Sequence, residues 1–144
     1  MEHIREKEPS VPEQLKALEL PVGESMVMGS GVLGALGIRE ARDADIVVST
    51  RVYAQLREAG WRERVFRSGS IEQFGLEHGC FQVFSDWTDS DGVRKVVEEL
   101  LSDADIIDGI AYNSLDKLYA YKLRRGLDKD LKDLELIKKF RSSD

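Results

Sequence analysis

Hydrophobic positions in this chain fall in short runs of two periods, and the breaks between them hold most of the turn-forming residues. Ser10 stands where it can cap a helix over residues 11–20, with Pro12 in its first turn and Pro21 stopping it. The run Met26-Val27-Met28 ends at Gly29-Ser30, the pattern of a buried strand entering a tight turn. Val32, Leu33, Leu36 and Ile38 then predict a short helix, which Gly34 and Gly37 either weaken or let pack closely against a neighbour. Residues 43–49 alternate and then run β-branched, which predicts a strand. Thr50 is the expected cap of a helix reaching Glu58, with Gly60 ending it.

Further on, residues 61–66 fit a strand, 67–79 read as irregular, and 80–87 form an aromatic and branched strand followed by a polar turn over 88–92. Val93, Val96, Val97, Leu100 and Leu101 share one face of a helix over 93–101. A short strand is expected near 106–110. Ser114 caps a helix to Arg125 that Gly126 ends, and a last helix runs over 128–140 with Leu131, Leu134, Ile137 and Phe140 inward. The order of elements predicts an α+β (mixed α/β) domain: a central mixed sheet flanked by helices, with two helices at the C-terminus. Residues 1–9 read as a charged, frayed tail and 10–141 as one domain, without internal repeat or low-complexity tract.

Composition narrows the function classes. Of 144 residues, 42% are hydrophobic and 33% charged, which suits a globular core, and no apolar run approaches the roughly 20 residues that cross a bilayer. The N-terminal residues lack an apolar leader, and the single cysteine, Cys80, has no partner for a disulfide or a zinc cluster, so a reducing cytoplasm is expected. The net charge of −6 argues against general affinity for nucleic acid. That charge is uneven, because residues 117–141 hold nine Lys/Arg and four Asp/Glu, net +5, leaving −11 elsewhere. The basic stretch is either a solvated helix pair or a phosphate-facing surface beside an acidic site.

The candidate chemistry lies in residues 28–48. Asp43 and Asp45, two apart at a strand start, point to one face and repel unless a cation or basic group sits between them. Mg²⁺, or Mn²⁺, is the natural cation, with substrate phosphate oxygens filling its remaining positions. Gly29-Ser30 could bring backbone N–H groups and a hydroxyl to a phosphate. No Gly-Lys-Ser/Thr follows the glycines, so this is not a P-loop. Residues 29–34 satisfy G-x-G-x-x-G by letter, but a dinucleotide site wants one acid at the end of the second strand, and here a pair opens it.

Gly29-Ser30, a helix, and then Asp43-x-Asp45 before a β-branched strand resembles the polymerase-β-like nucleotidyltransferase superfamily. Residues 122–137, where a helix carrying Lys122 precedes Lys129-Asp130-x-x-Asp133, are similar to the C-terminal signature of its small bacterial and archaeal members. The resemblance spans about residues 26–140. It implies a small nucleotidyltransferase-like fold and transfer of a nucleoside monophosphate from a nucleoside triphosphate to an acceptor: a small molecule, an RNA end or a protein. Asp43 and Asp45 would be catalytic and hold the metal, while Gly29, Ser30, Arg42 and Lys122 would hold the triphosphate. The family also includes halves of toxin–antitoxin and defence pairs, and a chain this short would draw its acceptor surface from a homodimer or a partner subunit.

One departure bears on activity. The third carboxylate of active members aligns here with Gln82, whose amide cannot act as a general base. Asp86 is the nearest downstream acid; on an unbroken strand it shares a face with Gln82 and Phe84, about 13 Å further along at ~3.3 Å per residue. It reads either as a tentative catalytic acid or as a water-facing carboxylate, and Glu77 as a poorer candidate in a loop. The alternatives are therefore a transferase, weak or degenerate, and a non-catalytic nucleotide- or protein-binding module of the same fold. Arg39 and Arg42 read either as phosphate contacts or as partners of Asp43 or Glu40, while Lys129 is expected to pair within its own helix, Tyr119 and Tyr121 to pack or to stack a base, and Trp61 and Trp87 to lie in the core or at a rim.

Overall fold

The computed structural model describes residues 9–68, 71–88 and 92–143. What the sequence predicts for residues 1–8 and for the middle of the 88–92 turn lies outside them.

The Ser10 hydroxyl accepts from Glu13 N–H at 3.3 Å and so caps α1 (Val11–Leu18), which stops early because Glu19 turns into the left-handed region at φ 50°. β1 (Ser25–Met28) runs into Gly29, whose φ of 60° makes the sharp turn into α2 (Ser30–Ala35). β2 (Ala44–Val48) returns antiparallel to β1. α3 (Thr50–Glu58) is capped by Ser49 rather than Thr50: the Ser49 hydroxyl accepts from Val52 N–H at 3.2 Å and donates to Glu24.

Then come β3 (Arg62–Ser68), β4 (Ile71–His78), β5 (Phe81–Phe84) and a two-stranded ribbon of β6 (Trp87–Thr88) with β7 (Arg94–Lys95). α4 (Val97–Leu100) continues into a 3-10 turn, Leu101–Asp103. β8 (Asp105–Ile107) and β9 (Ile110–Tyr112) form a hairpin, followed by α5 (Leu115–Arg125) and α6 (Asp128–Ser142).

The described residues thus form the expected α+β architecture. A seven-stranded mixed sheet has the order β3-β4-β5-β2-β1-β9-β8, with parallel pairs β2/β5 and β1/β9 and antiparallel pairs elsewhere. Its larger core packs Val27, Ile46, Val48, Leu76, Val83 and Tyr112 against residues of the helices, among them Leu15, Leu33, Val52, Leu118 and Ile137. A smaller core joins Met26, Met28 and Val47 to Val97 and Leu100. No helix among the described residues is long and apolar enough to cross a membrane.

Four expectations are corrected. Residues 71–78, read as irregular, are a strand that pairs with β3 over 71–77. Gly75 leaves room there for the Phe66 and Phe84 rings; a Cβ would lie 2.7 Å from Phe84. The helix over 93–101 is mostly absent: 94–95 pair with 87–88, the helix is one turn, and Val93 and Val96 are exposed. The strand near 106–110 is a hairpin turning at Asp108-Gly109, both with positive φ, an Asp-Gly turn whose twist suits adjacent strands. In α6, Leu134 and Ile137 are buried, whereas Leu131 and Phe140 are exposed.

Candidate functional site

Strand register builds the acidic side of a cavity. β1/β2 pairing sets Asp45 opposite Met28, the residue before Gly29, and parallel β2/β5 pairing sets Gln82 beside Asp45. Gly29 comes so close that a Cβ on it would lie 3.3 Å from Asp45 Oδ2. With Ser30 and Asp43, these residues line one side of a cavity of about 300 Å³. The other side is cationic and aromatic: Tyr121, Lys122 and Arg125 of α5, Lys129 of α6, and Trp87, with Leu118 between them. Tyr121 lies 6.0 Å from Trp87 between ring centroids, and the Arg125 guanidinium sits 5.3 Å over the Tyr121 ring.

Two acids, one largely buried, on one wall and three cations on the other set the electrostatics. Burial first, and then the neighbouring charge of Asp43, push the Asp45 carboxyl up from 3.8 to about 6, against the opposing pull of Arg125, Lys129 and Lys122. A divalent cation between the two carboxylates would relieve both effects. Among the described residues no third acid, histidine or cysteine joins the pair. Two carboxylates, the Gln82 side chain on the same lining and room for phosphate fit a Mg²⁺ ion that keeps several waters, the way this ion is commonly held next to phosphates. They do not supply the third carboxylate of a site built by protein acids alone.

Behind the cationic wall lies an ion cluster. Lys122 Nζ is 2.9 Å from Asp133 Oδ2 and 3.4 Å from Asp130 Oδ1. Arg125 donates twice to Asp130, at 2.6 and 2.8 Å, and Leu127 N–H adds a third bond to that carboxylate at 3.1 Å. Arg39 donates twice to Asp133, at 2.7 and 3.0 Å, and its remaining N–H groups reach the Ser30 hydroxyl and the Glu40 carbonyl, each at 3.0 Å. Asp130 is wholly buried and Asp133 nearly so. Their cationic partners hold both carboxyls below the usual range even though burial, the largest single influence, pushes the other way. Breaking such a pair from one side costs about 3–5 kcal/mol, because the other charge stays buried. The cluster ties the Gly29-Ser30 turn to α5 and α6 across 94 residues of chain.

Asp43, Asp45, Gly29, Ser30, Gln82 and Lys122 therefore meet at one cavity. Arg42 does not: it lines a separate depression with Gln14, Glu40, Gly79 and Cys80. Asp86 is also elsewhere. The strand ends at Phe84, so alternation does not carry on to residue 86; the Asp86 carboxylate accepts from Gln73 at 2.8 Å and pairs with Arg94. Glu77 belongs to β4, opposite Gln82, but its carboxylate is held by Arg64 at 2.5 Å. Arg39 pairs with Asp133, not with Asp43 or the Glu40 carboxylate, and Asp130 and Asp133 answer three cations instead of an ion pair within their own helix. His78 stacks on Trp61 at 4.9 Å, and burial raises the Cys80 thiol, which suits neither for attack.

Sequence reasoning left Trp87, Arg125 and Lys129 out of the site. For Arg125 and Lys129 the signal was the basic excess over 117–141; Trp87 had none in the sequence. No protein-family model, curated protein or solved structure matches this chain.

Proposed function

We propose that this protein binds a metal-complexed nucleoside triphosphate in the cavity between Asp45 and α5, as a small nucleotidyltransferase-like domain. The observation that carries the reading is the pairing of two carboxylates, at a glycine-serine turn, with three cations across one 300 Å³ cavity. A magnesium or manganese ion held by Asp43 and Asp45 would supply charge neutralisation at the phosphates. Gly29 keeps side-chain atoms away from the acid wall, and Ser30, whose hydroxyl accepts from Arg39, lines the same cavity. Arg125 and Trp87 frame the aromatic side.

In the transfer reaction, an acceptor oxygen would attack the α-phosphorus. The bond from that phosphorus to the bridging oxygen of the β-phosphate breaks, and pyrophosphate leaves with the electron pair. The acceptor's proton needs a base. Gln82 cannot take it, and the two other acids considered for that role, Glu77 and Asp86, are engaged by Arg64 and Arg94. This favours a second reading in which the domain binds the nucleotide without efficient transfer.

An assay with all four α-labelled triphosphates and Mn²⁺ or Mg²⁺, following label into protein, RNA and small acceptors, separates the two readings. The expected result is little transfer by the native chain and a gain of tenfold or more, about 1.4 kcal/mol of barrier, in Gln82→Glu. Brisk transfer by the native chain that Gln82→Glu does not increase would remove the binding-only reading and the role given to Gln82.

A further inference from the structure

The two lysines of the C-terminal signature sit in opposite states. Lys122 has a side chain only 4% exposed, and two of its three ammonium donors are spent on buried carboxylates of α6. To reach a ligand it would have to leave Asp130 or Asp133 with less compensation. Arg125 is likewise committed, with two N–H groups on Asp130 and its face on Tyr121. Lys129 is exposed and lines the same cavity as Asp43 and Asp45, and among the described residues its ammonium makes no ion pair. It stands next to Asp130 in α6, so the buried carboxylate fixes the turn of helix from which it extends.

We infer that Lys129 is the cation that contacts the anionic tail of the ligand, and that Lys122 is a positioning residue that holds α5 and α6 together behind the site. This reverses the phosphate role that the resemblance gives Lys122 and the ion-pair role that helix spacing gives Lys129. The cost of engagement decides it: Lys129 exchanges only water for phosphate oxygens, while Lys122 would exchange buried ion pairs. Within Lys129-Asp130-x-x-Asp133, the lysine faces the ligand and the two acids face inward to anchor Lys122, Arg125 and Arg39. The inference rests on the ligand being a metal–triphosphate complex.

Calorimetric titration of the full chain with Mg²⁺ complexes of the four nucleoside triphosphates, and with inorganic tripolyphosphate, tests it. Lys129→Gln should melt with the native chain yet bind about tenfold or more weakly, as loss of a charge-assisted contact implies. Its affinity should also depend less on NaCl than the native affinity does. Lys129→Arg should restore most of the binding. Lys122→Met should lower the melting temperature by several degrees, the signature of a broken buried cluster. A native chain that binds, together with Lys129→Gln binding equally well at every salt concentration, overturns the assignment alone. A native chain that binds none of the ligands overturns the functional reading beneath it as well.

Discussion

At Asp45 two effects push the same way: burial between β1 and β5, and the carboxylate of Asp43 two residues back. Both favour the protonated form, so the folded chain takes up its proton at a higher pH than the unfolded chain. Between pH 3.8 and about 6 the folded state binds more protons here, and this residue's contribution to stability falls as pH rises through that window. Asp45→Asn removes the titration. The variant and the native chain should therefore be equally stable near pH 4, with the variant gaining about 2–3 kcal/mol by pH 7.5, read from urea unfolding at each pH. Parallel curves across the range would contradict the strain assigned to this carboxylate. The neighbouring buried carboxylates behave oppositely. Asp130 and Asp133 are held low by their cations, so their contribution is present at neutral pH and lost as the solution becomes acid.

At the scale of elements, Gly75 gives a prediction whose sign differs from propensity. A glycine inside a strand is normally a weakness that alanine mends. Here a Cβ would sit 2.7 Å from Phe84 and 2.9 Å from Phe66, so Gly75→Ala should destabilise by about 1–3 kcal/mol through overpacking, measured by thermal or urea unfolding. Stabilisation would mean that the two rings are free to move apart. The same residue explains why β4 was not legible in the sequence. Its run, Ile71-Glu72-Gln73-Phe74-Gly75-Leu76-Glu77-His78, mixes acids and a glycine into an alternation that resolves only once β3 is paired with it. Elements that end in local chemistry were legible. Ser10 and Ser114 cap α1 and α5 by bonds to N–H groups three residues on, and Gly126 ends α5 in the left-handed conformation. Those signals lie within one turn of chain. The 93–101 helix failed for the converse reason: a helical period in valines is outweighed where Arg94 and Lys95 find strand partners in Trp87 and Thr88.

The site divides along the same line. Asp43-x-Asp45 and Gly29-Ser30 were legible because each is a local motif, and strand register does the rest by placing Gln82 beside Asp45. Which lysine is buried and which is free was not legible. That depends on α6 folding back along α5 so that Asp130 and Asp133 meet Lys122.

Over the whole molecule, the uneven charge now has a structural form. The basic excess of residues 117–141 lies on α5 and α6, and part of it is folded inward as an ion cluster that locks those helices to the glycine-serine turn. Two of those clustered cations, Lys122 and Arg125, together with Lys129 also line the cavity opposite two acids in a chain of net charge −6. An arrangement of this kind is suited to a ligand that carries both signs, a divalent cation with a polyphosphate, and poorly suited to either alone. Thermal unfolding with and without ligand tests that claim most directly. With a nucleoside triphosphate and Mg²⁺ or Mn²⁺ together, the melting temperature of the native chain should rise by several degrees, about 2.7 kcal/mol at a hundredfold excess over Kd. The rise should vanish when metal or nucleotide is omitted, and in Asp43→Ala. No rise with any of the four triphosphates at millimolar concentration, in either metal, would contradict a nucleotide site at Asp43 and Asp45.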